Sequence, residues 1–126
     1  MCIDFKNRWF HCISIFFLQI RIWEVSESQV LCIRTIGGHS NVIVRLVLNG
    51  NRAAASRDLD GNILIWDLPE ALTKIYNHEE YEKILLRRVK SVSRTVTCIA
   101  IDERKLVMGA IGHFSVFDYW NGAKHL

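Results

Sequence analysis

The chain has 126 residues, half of them hydrophobic, with a single proline, so it can bury a core and is too apolar to be disordered. Its formal net charge is only +3, from 16 Lys and Arg against 13 Asp and Glu. A balance this mild points away from nucleic acid and membrane as partners.

Taken from the start, residues 9–18 form an apolar run. It is well short of the ~20 residues a membrane-spanning helix needs. Asp4 stands where a leader would be positive, and no small-residue cleavage site follows. The run therefore reads as a buried strand pair or as sequence foreign to the fold. Residues 1–19 are set apart as a doubtful segment, with a mispredicted exon as one origin. From Ile20 on, short alternating runs are separated by Gly, Asn and Asp, which predicts strands joined by tight turns. Strands are expected at 20–25, 30–36, 42–48, 53–56 and 63–67, with turns at 49–51 and 58–62. Residues 69–83 break the pattern. Pro69 fits the first position of a helix, with Asp67 or a neighbour as cap, and Leu72, Ile75 and Tyr76 fall on one face. Strands resume at 84–89, 96–101, 105–110 and 114–118.

Cys12, Cys32 and Cys98 lie inside apolar runs and none of the cysteines forms a CxxC pair. They are expected to be buried, reduced thiols, which suits a cytoplasmic or nuclear setting. His39, His78, His113 and His125 are scattered without metal-ligand spacing, so no metal is expected. Neither a phosphate loop nor a dinucleotide fingerprint occurs, and no cofactor is expected. The densest charge lies at 87–94. It reads as an exposed strand whose cations discourage edge pairing, or as a contact for an acidic or phosphorylated peptide.

An internal repeat organises these strands. Arg21-Ile22-Trp23-Glu24-Val25, Leu64-Ile65-Trp66-Asp67-Leu68 and Ser115-Val116-Phe117-Asp118-Tyr119 share one pattern: β-branched, aromatic, acidic, apolar. Their aromatic residues stand 43 and 51 residues apart. With Gly38-His39 ahead of Trp66-Asp67, the chain resembles the WD-repeat family, whose period is roughly 40–45 residues. The resemblance covers residues 20–121, with one good repeat and two degenerate ones. Ser93-Arg94-Thr95 replaces the Gly-His pair before the last repeat, and Phe16-Phe17-Leu18 stands where a Gly-Asp turn is expected in the first.

The resemblance implies an all-β fold: a partial β-propeller of two and a half to three four-stranded antiparallel blades, with a short helical insertion near 69–83. Residues 122–126 are expected as a tail, leaving the last blade without its fourth strand. It also implies a structural tetrad of His39, Ser56, a turn Asp and Trp66. Asp60 is taken as the turn acid, with Asp58 as its rival. Ala110, Ile111 and His113 replace these residues in the last repeat, where the network is expected to be lost. Ser56, His39 and an Asp also form the set of a hydrolase triad, but no nucleophile elbow accompanies them. No catalytic residue is expected.

The function implied is a non-catalytic scaffold for protein–protein interaction. Asn41, Arg57 and Arg94 are candidate contacts for a protein or peptide, acidic or phosphorylated. A narrower version is the F-box/WD-repeat type, in which the chain would be the substrate-recognition part of a ubiquitin ligase. The alternatives are a truncated or mispredicted gene product without independent function, and a fragment of a propeller-hosted enzyme. A closed propeller takes at least four blades, so completion by missing blades or by self-association is expected.

Overall fold

The computed structural model describes residues 2–5, 9–50, 52–73, 84–90, 96–110, 112–120 and 123–125. They form three four-stranded sheets, each antiparallel and each paired in simple sequence order. The first contains β1 (Cys2–Phe5), β2 (Trp9–Phe16), β3 (Gln19–Ser26) and β4 (Val30–Ile36). The second contains β5 (Ile43–Asn49), β6 (Ala53–Asp58), β7 (Asn62–Asp67) and β8 (Leu85–Lys90). The third contains β9 (Val96–Ile101), β10 (Lys105–Ala110), β11 (His113–Asp118) and β12 (Ala123–His125). Among the described residues one short helix, α1 (Leu68–Thr73), follows β7. β2 packs on β5, and β5 and β6 pack on β9, so the sheets stack as successive blades.

The middle sheet shows why the sequence stacks this way. Successive side chains of a strand point to opposite faces, and in β6 and β7 both faces are buried. Ala54, Leu64 and Trp66 join Ile13, Ile20, Ile22 and Ile36 of the first sheet in one core. Ala55, Ile63 and Ile65 join Ile99, Leu106 and Met108 of the third in another. The run Ala53-Ala54-Ala55 keeps β6 thin enough for neighbours on both sides, and all three are nearly inaccessible.

Three expectations change at this level, and the expected helix begins one residue earlier. Residues 1–19 were set apart, yet 2–5 and 9–16 supply two strands of the first blade, in register with each other and with β3. Within the apolar run His11 and Ile13 are buried, while Phe16, Phe17 and Leu18 at its end are exposed. Within the expected tail, Ala123–His125 form the missing fourth strand: Ala123, Lys124 and His125 pair with Asp118, Phe117 and Val116. The helix covers Leu68–Thr73, with Pro69 as its second residue, and Asp67 Oδ1 accepts the Glu70 N–H at 3.3 Å as a cap. The rest of the expected insertion, Ile75 and Tyr76 included, lies outside the described residues. Finally, Cys32 and Cys98 are exposed and Cys12 is half-buried, none of the three in a disulfide. β4 is an edge strand, so the apolar run around Cys32 is uncovered: Val30, Leu31 and Ile33 are exposed with it.

At the β2–β3 turn, Phe17 adopts φ 52°. This left-handed conformation costs a residue with a Cβ roughly 1–2 kcal/mol. One contact is made by Phe17 itself and a second by its neighbour Phe16. The Phe17 carbonyl accepts the Ile43 N–H of the next blade at 2.8 Å, and the Arg21 guanidinium stacks over the Phe16 ring at 4.1 Å.

Candidate functional site

The middle blade contains a continuous chain of buried polar side chains. Trp66 sits on β7 with its ring in the core shared with the first blade. Its indole N–H donates to Ser56 Oγ on β6 at 2.9 Å. Ser56 Oγ lies 2.6 Å from His39 Nε2, and His39 Nδ1 lies 2.9 Å from Asp58 Oδ2. Ser56 and Asp58 are fully inaccessible and His39 nearly so. A buried donor without an acceptor is costly, and one polarity satisfies every member. Nδ1–H of a neutral imidazole donates to the carboxylate, and Nε2 accepts the Ser56 hydroxyl proton. The remaining Asp58 oxygen accepts the N–H groups of Asp60 and Asn62 at 2.9 and 3.0 Å, which ties the β6–β7 turn to the chain.

The structure corrects the turn acid. Asp58, not Asp60, meets His39; Asp60 is exposed and contributes its backbone N–H to the Asp58 carboxylate. The reason is parity along β6: Ala54, Ser56 and Asp58 project to one face, and Asp60 lies past the strand end in the turn.

Electrostatics agree with this polarity. Burial lowers the His39 pKa below its ordinary value, and the nearby Arg88 charge adds to that; the bond to Asp58 and its charge oppose it without prevailing. Burial also opposes ionisation of Asp58. The His39 bond, the two turn N–H bonds and the His39 charge outweigh it and hold the carboxyl below the usual range. Both groups thus have folded pKa values below their unfolded ones, so the unfolded chain takes up protons first. Stability from His39 is complete above its unfolded pKa, near 6.5, and declines as pH falls below it. Asp58 adds a second decline below about pH 4. Thermal melting between pH 7.5 and 5 is expected to show a falling midpoint, with a shallower slope in His39→Gln. An unchanged slope in that variant would contradict a buried neutral His39.

The arrangement has the members of an acyl-transfer triad, but its geometry does not serve one. A nucleophilic hydroxyl must face substrate. Ser56 is fully inaccessible and its oxygen receives the Trp66 indole N–H. The chain of bonds instead joins β6, β7, the β6–β7 turn and the loop before β5.

The first blade repeats half of this pattern: Trp23 Nε1 donates to Ser14 Oγ at 2.9 Å. Sequence reasoning missed Ser14 because it lies in the segment set apart. The signal was present, since Ser14 precedes Trp23 by nine residues and Ser56 precedes Trp66 by ten. In the third blade Phe117 offers no N–H. There Asp118 accepts the Trp120 N–H at 3.0 Å and an Arg104 guanidinium at 3.3 Å, and the Tyr119 hydroxyl donates to the Asp102 carbonyl at 2.6 Å.

Two of the three candidate contact residues, Asn41 and Arg57, lie among the described residues. Asn41 is half-buried and its Oδ1 accepts the Val42 N–H at 2.7 Å, so this side chain shapes the loop entering β5. Arg57 is half-buried on β6, paired in register with Ile63 and Arg45. Arg94 lies outside the described residues, as does His78. Of the 87–94 cluster, Arg87, Arg88 and Lys90 are exposed on β8, the edge strand of its blade. Arg87 Nε also donates to the Tyr119 carbonyl at 2.8 Å, bridging the second and third blades. Among the described residues no cluster of His, Cys, Asp and Glu could hold a metal ion, and no helix is long and apolar enough to cross a membrane.

Comparison with known proteins agrees with this architecture. No protein-family profile matches the chain. A stretch of 57 residues, 44% of the chain, is 39% identical to WD repeat-containing protein SL1-17 of Schistosoma mansoni, and spans 19% of that protein. Among solved structures, that of U3-55K superposes with a TM-score of 0.63 over 98% of the chain and 34% of its own length, at 16% identity. The second likeness is one of fold. The chain thus spans about a fifth of the curated relative and about a third of the structural one. The local sequence match and the fold together support a WD-repeat relationship.

Proposed function

We propose that the chain is part of a protein-binding scaffold of WD-repeat type and turns over no substrate. The observation that carries this reading is the closure of the Trp66–Ser56–His39–Asp58 chain. The polar groups best suited to chemistry are buried and bonded to one another, and they fix strands and loops rather than face a substrate. WD-repeat proteins generally bind other proteins, which supports the same reading. Reduced, free thiols suit a cytoplasmic or nuclear setting, and imaging of a tagged chain in secreting cells tests it: passage to the medium would contradict it.

A narrower version makes the partner an acidic or phosphorylated peptide and the scaffold the substrate-recognition part of a ubiquitin ligase. The cations at Arg57 and Arg94 support it through charge-assisted bonds to such a peptide. Partners captured by cross-linking on the whole chain are compared with those on Arg57→Glu/Arg94→Glu. Loss of the same partners in the variant is expected. Undiminished capture would contradict the acidic-peptide version and leave the scaffold reading standing.

Three blades do not close a propeller. We infer that further blades, in another part of the parent protein or in a second copy, cover the outer faces. Sedimentation of the 14.6 kDa chain distinguishes the two. A multiple of that mass supports self-association, and a monomer at all concentrations assigns completion to other blades.

A further inference from the structure

Beside the buried polar chain lies a cleft of about 250 Å³ between the loop entering β5 and the strand β8. Gly38, Ser40, Asn62, Arg88 and Lys90 line it, with His39 and Asp58 behind them. Arg88 and Lys90 are two residues apart on one strand, opposite Leu64 and Asn62 in register, so they face the same way. The wall therefore has two cations against one acid. That acid, Asp58, is engaged by His39 and by two turn N–H groups, so it competes weakly for a cation across the cleft. Arg88 is close enough for its charge to bear on His39.

We propose that this cleft binds a phosphoryl group, held by Arg88 and Lys90 with the Ser40 hydroxyl and the Asn62 carboxamide on its rim. A guanidinium offers five N–H donors in a fixed fork, so one bond elsewhere leaves donors for a tetrahedral oxyanion. The ammonium of Lys90 adds a point charge, and charge-assisted bonds of this kind are about twice as strong as neutral ones. The group has two sources: free phosphate, or a phosphorylated side chain of the partner in the scaffold reading. The second source alone rests on that reading.

The test is an amide NMR titration of the whole chain at constant ionic strength. The probes are inorganic phosphate, a short phosphoserine peptide and its unphosphorylated twin. Saturable shifts at Ser40, Asn62 and Lys90 are expected with the first two and absent with the third. Arg88→Gln/Lys90→Gln is expected to weaken binding by about tenfold. Lys90→Gln alone serves if the double variant does not fold. Tighter binding of the peptide than of phosphate assigns the group to a partner, and equal binding assigns it to the free ion. Absence of saturable shifts, or an unchanged affinity in the variant, overturns the proposal. The cross-linking comparison at Arg57 and Arg94 is read separately, so either idea can fail alone.

Discussion

Asp58→Ala is expected to destabilise the chain by about 3–5 kcal/mol, because each buried donor left without its acceptor costs about 1–3 kcal/mol. Three donors lose their acceptor at once: His39 Nδ1–H and the N–H groups of Asp60 and Asn62. Two of them belong to the turn that joins β6 to β7, so the loss reaches the backbone. Asp60→Ala removes an exposed side chain two residues away and keeps the N–H that Asp58 accepts. Its unfolding midpoint in urea is expected to match that of the parent chain. Equal losses in the two variants, or a larger one at Asp60, would reassign the turn acid.

The second large effect is expected at Trp66. Its side chain is 1% exposed and packs with residues of the first blade as well as its own. Trp66→Ala leaves a cavity and removes the Ser56 donor, a change of about 3–5 kcal/mol. Trp66→Phe separates the two contributions. It keeps most of the packing and loses the indole N–H, and is expected to cost about 1–2 kcal/mol. The third blade has Phe at the corresponding place, Phe117, whose ring has no N–H to donate. Urea unfolding of the two variants side by side provides the check. A phenylalanine variant as unstable as the alanine one would give the hydrogen bond, not the ring, the leading role.

Much of this architecture is legible in the sequence because the chain repeats a short pattern of β-branched, aromatic, acidic and apolar residues. Trp23, Trp66 and Phe117 mark the third strand of each blade, and β3, β7 and β11 contain them. His39, Ser56 and Trp66 follow from the same resemblance, and the structure places them in hydrogen-bonding contact. Asp58 was harder to select because two acids two residues apart share one turn. Alternation decides between them, since counting from Ser56 along the same face reaches Asp58 while the strand still runs. Residues 1–19 hid their strands for another reason. β2 packs one face on the second sheet, through residues such as Ile13, yet Cys12 and Phe16 on its other face are apolar too, so the polar half of the alternation is missing and the run reads as uninterrupted. Cys32 shows the reverse. Local apolarity predicted burial, but β4 has a neighbour on only one side, which no single strand reveals.

The central claim is that the Ser–His–Asp set in this chain is a structural brace, neutral at His39 and closed by Trp66. Imidazole nitrogen NMR on the whole chain at pH 7 tests it most directly. The account predicts a neutral His39 ring protonated on Nδ1, with Nε2 bare and accepting from Ser56, and a Trp66 indole proton that exchanges slowly with solvent. A doubly protonated ring, or one protonated on Nε2 with a fast-exchanging Trp66 indole, would contradict it.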